Sequence, residues 1–476
     1  LAGIRAEANR KVADNRLRQL EVANAETQRA LKDAESQRTQ AESQSSLAAS
    51  RLREVEEMSF SLLNETYQEL QELPGATAAR ARLIEKTLTR LQRLKSGGAG
   101  NRDLDLLIAD SHGRLAAELG GTNENLGNPT AALTHLQTQV RTLNALRQIT
   151  PTDIAVTRLW ADARATLWAA EKRLNRVPNP KSLLDLEPVW ASLLARAPRD
   201  IAVLRSAGSF YFRCATGVAP EPAKQTAYLQ KARELWSAEE AISGGGENNW
   251  RNLALAYKYL AGTTARNKPS PLQLEYAEKA RAYDQKRLDR NPANAQARMD
   301  LTFDITSIAD YQAQHAKNYS EGSRLYREAL RLRQTLHELE PANSWYRRSL
   351  IYPARYAAYA VWSAGDFAAL LRDTAILRQA IDRASSSATP SDRASLEFFD
   401  GELAHHDKRP AEACAAWARA HKHSADLPEL RARLANCPTV SSSPSSPSPQ
   451  SSSSAPSSPS NPAPSLPTPP PARRKT

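Results

Sequence analysis

The sequence predicts an all-α protein: an α-solenoid of helical hairpins, preceded by a long N-terminal helix and followed by a disordered tail. A three-residue punctuation carries this reading, recurring as Pro151-Thr-Asp153, Pro198-Arg-Asp200, Gly246-Glu-Asn248, Pro292-Ala-Asn294, Pro341-Ala-Asn343 and Pro390-Ser-Asp392. Successive copies start 47, 48, 46, 49 and 49 residues apart, a period of 46–49. Proline or Gly246 cannot continue the helix before it, and the Asn or Asp two residues later is suited to cap the next. A fixed period of this size marks a stacked helical array. Composition agrees, since only 18 of 476 residues are glycine while alanine, leucine and arginine abound.

Residues 1–57 contain no proline and no glycine after Gly3 and are rich in Ala, Glu, Gln and Arg, the composition of a solvated helical stalk. A heptad seam begun at Leu17 and Leu20 meets Asn24, Thr27 and Arg38 where apolar groups are wanted, so a lone exposed helix and a self-associating coiled coil both stand. Residues 58–103 form a helical lead-in segment. Phe60, Leu62, Leu63, Tyr67, Leu70 and Leu73 make a denser apolar face, Pro74-Gly75 breaks the chain, and Leu83, Ile84, Leu88, Leu91 and Leu94 resume it. Ser96-Gly-Gly-Ala-Gly100 is a joint, and the repeats fill 104–438.

The unit between Asn294 and Pro341 shows the logic. Leu301, Ile305 and Ile308 share one face of its first helix, and Leu325, Ala329, Leu332, Leu336 and Leu339 share one face of its second. Neither helix buries its stripe alone, so each hairpin needs a neighbour. The tryptophans Trp160, Trp168, Trp190, Trp236, Trp362 and Trp417 fall within these patterns and read as packing residues. Residues 439–476, dominated by serine and proline, cannot repay the cost of ordering and are expected to be disordered.

The net charge of +12 does not make a nucleic-acid surface. Residues 1–57 balance ten basic against ten acidic side chains, Arg473, Arg474 and Lys475 add three, and the rest is spread among interleaved acids. No run approaches the ~18 apolar residues of a membrane span. The chain starts at Leu1 and so reads as a fragment or processed product. Cys214, Cys414 and Cys437 lack zinc spacing; unpaired thiols are favoured for the last two, and a bridge there would imply an oxidising compartment.

Candidate chemistry is sparse. His405, His406, His421 and His423 gather near Cys414, but their spacing matches no zinc motif and predicts no metal site. Gly244-Gly-Gly246 lacks the Lys-Ser/Thr of a phosphate loop. No catalytic residue and no cofactor site is assigned. A face lined by first helices remains, where Arg251, Tyr257, Arg298, Arg347 and Tyr356 are the candidate binding residues for a protein or peptide. The alternative is an enzyme acting on glycans or peptidoglycan inside that concavity, which needs paired inward carboxylates.

Leu253-Ala-Leu-Ala-Tyr257-Lys-Tyr-Leu260-Ala-Gly262 resembles the first helix of a tetratricopeptide (TPR) repeat, with Pro292 and Pro341 where such repeats end. The period departs from the family's ~34 residues and implies longer helices or turns. A second resemblance rests on Phe60-Ser-Leu62-Leu-Asn-Glu65, Leu73-Pro-Gly-Ala-Thr77-Ala-Ala-Arg80 and Leu83-Ile-Glu-Lys-Thr-Leu88. These are similar to the region after the membrane helix in bacterial membrane-bound serine/threonine protein kinases with C-terminal TPR-like repeats. The resemblance implies a kinase domain and a membrane span upstream, with Leu1-Ala-Gly-Ile4 as the span's last turn, and a sensing or docking role for the repeats. It also implies tethering to the inner membrane, with the extracytoplasmic side favoured. The glycine-rich loop, His-Arg-Asp and Asp-Phe-Gly motifs of a kinase are absent from the sequence, so no catalytic residue carries over.

Overall fold

The computed structural model describes residues 2–71, 76–96, 101–120, 125–174, 176–219, 221–267, 270–341, 343–424 and 428–437. The Leu73-Pro-Gly75 turn, most of the Gly-rich joint and the Ser/Pro-rich tail lie outside these residues. The described chain is a TPR-like helical array that divides into two compact units, Leu1–Pro178 and Asn179–Thr476.

The first unit comprises α1 (Ala2–Ser61), a π turn at Leu62–Thr66, α2 (Tyr67–Gln71), α3 (Thr77–Ser96), α4 (Arg102–Gly120), α5 (Pro129–Ile149) and α6 (Ile154–Arg173). Its core gathers Leu63, Tyr67, Ile84, Leu88, Leu91, Leu104, Ile108 and Leu115. Phe60, expected on that face, is exposed instead. The π turn that follows it inserts an extra residue per turn and shifts the phase, so that Leu63 and Tyr67 point inward. Behind this core lies a buried ion pair. Arg80 Nε donates to Glu118 Oε2 at 3.0 Å, Tyr67 OH donates to Glu118 Oε1 at 2.6 Å, and Arg80 also reaches the Thr77 hydroxyl at 3.1 Å. Thr77 and Arg80, which stand out in sequence after the Pro-Gly break, thus serve to seat α3 on α4.

The second unit begins with α7 (Pro180–Leu184) and α8 (Glu187–Arg196). Hairpins follow: α9 (Ile201–Gly217) with α10 (Pro222–Ser243), α11 (Glu247–Asn267) with α12 (Pro271–Arg290), and α13 (Ala295–Asp310) with α14 (Tyr319–Leu339). Next come α15 (Ser344–Ser349) and α16 (Ile351–Ser363) against α17 (Phe367–Ala384), and α18 (Pro390–His406) against α19 (Pro410–His423). The short α20 (Pro428–Leu434) is last.

The punctuation works largely as its chemistry requires. Asp153 accepts from Val156 N at 3.0 Å, Asp200 from Ala202 N and Val203 N, Asn294 from Ala297 N, and Asn343 from Trp345 N and Tyr346 N. Each therefore satisfies amide groups that the helix itself leaves unpaired. Two triplets differ. Asn248 lies inside the first turn of α11, which begins at Glu247. Asp392 is the reciprocating residue of a capping box whose cap is Thr389: its carboxylate accepts from Thr389 N at 2.9 Å, and its own amide donates to Thr389 Oγ1 at 3.2 Å.

Inside the hairpins Leu301, Ile305, Ile308, Leu325, Ala329 and Leu336 are buried, whereas Leu339 is exposed at the end of α14. The buried stripe is wider than the apolar pattern, taking in Tyr326 and Arg333 as well. Trp160, Trp168, Trp190, Trp236 and Trp417 are buried. Trp236 packs so closely on α9 that a Cβ on Gly208 would lie 2.5 Å from its Nε1, and Gly401 stands in the same relation to Trp417 at 2.4 Å.

The sequence favours free thiols at Cys414 and Cys437, but the structure bridges them, with Cα atoms 5.7 Å apart. The turn after α20 brings Cys437 back onto the apolar cluster that also holds Cys414, Trp417 and Leu430. Cys214 stays free and buried, and burial pushes its thiol up to about 12.

Within three hairpins the residue two positions before the second helix takes a left-handed conformation: Lys317 (φ 57°), Gly365 (φ 75°) and Lys408 (φ 59°). Only glycine adopts it without a steric cost. Lys317→Gly and Lys408→Gly should each stabilise the chain by about 0.5–1 kcal/mol, read as a rise in the urea midpoint at unchanged slope. In the first unit, Arg80→Ala leaves Glu118 buried with one partner fewer. It should cost about 3–5 kcal/mol in the same measurement, and a loss under 1 kcal/mol would contradict the buried pair.

Candidate binding face

The first helices of the second unit bury one stripe and leave another side outward. On α11 and α13 that side carries large aromatic groups in solvent. Tyr259 is 41% exposed and Phe303 46%. Tyr259 meets the edge of Phe212 from α9 with centroids 5.0 Å apart, and the Arg333 guanidinium lies 5.1 Å from the Phe303 ring. Successive first helices therefore present Phe212, Tyr259 and Phe303, each backed by a neighbour that fixes its ring.

The same helices also carry a charged cluster, buried between α11, α12 and α13, that serves as the floor of this part of the unit. Lys258 Nζ donates to Asp284 Oδ2 at 2.5 Å and to the Asp300 carbonyl at 2.9 Å, and stands 3.4 Å from Asp304 Oδ1. Arg287 donates to Asp284 at 2.6 Å, to Asp300 at 2.9 Å and to Glu247 at 2.8 Å. Arg251 adds a contact to Asp300 at 3.2 Å, and Asn294, while capping α13, also donates to Glu247 at 3.0 Å. Three cations thus face four carboxyl groups. Burial alone would pull Lys258 down, but Asp304, Asp284 and Asp300 outweigh it and hold it above its ordinary value. Burial likewise works against the Asp300 anion, yet Lys258, Arg251 and Arg287 keep it ionised below the usual range.

Asp304 goes the other way. Burial raises it well above the usual carboxylate range, the neighbouring Asp284 charge adds to the rise, and Lys258 only partly opposes it. Neither of its oxygens receives a hydrogen bond. A proton on Asp304 brings the cluster to three charges of each sign. Further along, Asp310 accepts from Tyr326 OH at 2.5 Å and Tyr352 OH at 2.9 Å, and burial lifts it to about 6 against those two bonds.

The five residues singled out in the sequence are not gathered into one patch by any contact seen here. Arg251 is ion-paired in the floor. Tyr257 stacks on Tyr283 and packs at a tilt against Tyr276 of α12, with centroids 6.1 and 6.0 Å away. Arg298 donates to the Pro292 carbonyl at 2.6 Å and Arg347 to the Pro341 carbonyl at 2.8 Å, equivalent clamps on equivalent turns. Tyr356 packs among Tyr326, Tyr352 and Tyr359. Sequence reasoning did not single out Tyr259 and Phe303. Their signal was an aromatic residue lying off the buried stripe, which costs burial and gains nothing unless something covers it.

Among the histidines, His406 stacks on Phe367 at 4.2 Å and His405 lies 5.6 Å from Trp417. The pair that comes together is in the first unit: His112 Nδ1 and His135 Nδ1 are 2.8 Å apart, sharing a hydrogen. Burial, with His135 and Arg141 beside it, pushes His112 down to about 4. Among the described residues no three His, Cys, Asp or Glu side chains group to hold a metal ion, and no helix is long and apolar enough to cross a membrane.

No protein-family profile matches this chain, and no curated protein sequence does. Among solved structures it is similar to the apo form of RapI, at 12% identity over 77% of this chain and 87% of that one, with a TM-score of 0.47. It is similar to a tetratricopeptide repeat protein from Parabacteroides merdae at 14% identity, over 63% of this chain and 92% of that one, with a TM-score of 0.30. A third is the C-terminal part of a TPR repeat-containing protein from Cytophaga hutchinsonii, at 10% identity over 64% and 98% of the two chains, with a TM-score of 0.38.

The raised Asp304 has a measurable consequence. Its folded value lies above its unfolded one, so its stabilising contribution is full below the ordinary carboxylate value, roughly 3.9, and is lost as pH rises through the folded value. Asp304→Asn removes that proton uptake. The stability of the variant relative to the parent should therefore climb with pH above about 4.5, by up to roughly 1.4 kcal/mol per unit, in urea titrations run across the range. Parallel pH profiles would show that Asp304 is ionised in the folded chain.

Proposed function

We propose that this chain is a non-catalytic docking scaffold whose second unit binds a protein or peptide across its first helices. The observation that carries the reading is the set of exposed aromatic rings, Tyr259 and Phe303, on helices that buried ion pairs tie to one another. Aromatic side chains fixed in advance lose little entropy on binding and are the usual anchors of an interface. Arg251, Tyr257, Arg298, Arg347 and Tyr356 shape the face, two of them by holding its turns. An enzyme acting on glycans would need its acids within reach of substrate. Asp284 and Asp304 are 0% and 1% exposed; the charge of Asp284 is taken up by Lys258 and Arg287, and Asp304 is buried beside it.

In its wider setting the chain acts as the sensing or docking region of a bacterial serine/threonine protein kinase whose catalytic domain is encoded upstream. A span ahead of Leu1 tethers it to the inner membrane, and α1 joins two copies. The Cys414–Cys437 bridge supports an oxidising, extracytoplasmic setting. Reading the gene upstream of the codon for Leu1 tests this part: kinase motifs and an apolar span in frame are expected, and an in-frame start codon at that point removes the kinase link.

Docking is tested by selecting peptides from a random library on the whole chain and measuring their affinities by calorimetry. Tyr259→Ser together with Phe303→Ser should weaken the selected peptides by about tenfold or more, while substitutions in α1 leave them unchanged. Peptides that bind the double variant as well as the parent would place the docking surface elsewhere.

A further inference from the structure

α1 is an unbroken helix of 60 residues. At 1.5 Å per residue it runs about 90 Å. It turns in to its own unit only at its end, where Val55 is half-buried and Ser59 buried. With Leu17 at a heptad's a position and Leu20 at its d position, the register continues without a slip to Val55 at d and Ser59 at a. Between them Leu31, Ala34, Ala41 and Ala48 also fall on the seam. The interruptions by Asn24, Thr27, Arg38 and Ser45 are therefore single positions within one continuous stripe. That stripe is uncovered: Leu17 is 60% exposed, Leu20 68% and Leu31 59%.

We infer that α1 pairs with α1 of a second copy of this chain as a parallel, in-register two-stranded coiled coil over residues 17–48. This rests on the self-association proposed above and adds its direction and register. The flanking charges choose the direction. The e positions hold Glu21, Glu35 and Glu42, and the g positions hold Arg16, Ala30 and Gln37, none of them acidic. In a parallel pair each g residue faces the e residue five places on in its partner, so Arg16 meets Glu21 of the second copy. In an antiparallel pair the acidic e flank meets itself. Asn24 at an a position is the kind of buried polar residue that fixes register and favours two strands. Arg38, also at a, already turns its guanidinium out to Glu42 on its own helix at 2.8 Å, which leaves its stem on the seam.

Sedimentation equilibrium from about 1 to 100 μM should show mass rising from 52.4 kDa toward twice that value. Arg16→Glu should weaken association on the order of tenfold, and Arg16→Glu with Glu21→Arg should restore it. Direction is read by mild oxidation. Ala41→Cys, on the seam, should form a covalent dimer, and Ser43→Cys, on the outer face, should not; the native cysteines are bridged or buried. An antiparallel overlap would hold the two introduced thiols about 25 Å apart. A mass of one chain throughout overturns both the self-association and the coil, and leaves peptide docking untouched. A dimer without seam-specific cross-linking overturns the parallel register alone.

Discussion

A carboxylate buried at the junction of two hairpins is content only when the neighbour stands in register. Asp300 on α13 takes Arg251 and Arg287 from the hairpin before it. Asp373 on α17 takes Arg327 from α14 through two bonds of 3.1 and 2.7 Å, and Asp392 on α18 takes Arg355 from α16 at 3.1 Å. Asp310 joins Tyr326 of its own hairpin to Tyr352 of the next. Apolar stripes of Ala and Leu tolerate a slip, since another methyl group can fill the same space. A slip that strands Asp300 or Asp373 leaves a buried charge without its partner, at a cost of several kcal/mol. Burial of apolar surface drives the stacking, and the inter-hairpin pairs fix which stacking results.

This division explains how far the sequence could be read. Helix restarts are local chemistry, and Asp153, Asp200, Asn294 and Asn343 cap as a proline break followed by Asn or Asp suggests. Thr389 took the cap from Asp392 because a threonine ahead of a proline and three residues before an acid makes a capping box, a pattern the triplet hid. Phases were legible until a π turn inserted a residue, which is why Phe60 is out and Leu63 in. The buried polar residues were illegible. Arg287 is 1% exposed and Arg333 3%, yet both look like solvated helix positions. Their burial depends on partners such as Asp300, Glu247 and Thr302, contributed by other helices and invisible to any periodic pattern.

The candidate face divides along the same line. Equivalent register placed Arg298 and Arg347 together in the reading, and equivalent register gives them one shared task, holding the Pro292 and Pro341 carbonyls. Repetition across units is thus a mark of architecture. Tyr259 and Phe303 lie off the buried stripe with their rings in solvent, and that is what sets them apart from scaffold residues. The helices that carry them are tied together, because Lys258 and Arg287 join α11 and α12 to α13 through Asp284 and Asp300.

The long helix raises the converse question, why a stripe should continue past the surface that covers it. A solitary solvated helix has no use for a recurring line of leucine and alanine, and intrahelical pairs such as Arg38–Glu42 stabilise it without any seam. Val55 and Ser59 show that the stripe's last turns serve packing within the unit. Leu17, Leu20 and Leu31 extend the same line with nothing of this chain upon it, while Glu21, Glu35 and Glu42 line one edge of the seam and Arg16 the other. Such an arrangement is costly to solubility if it remains bare and useful if an identical helix lies along it. The polar interruptions then set the strength: with alanine, serine and asparagine in half the layers the pairing is shallow, suited to a contact that forms and parts as local concentration changes.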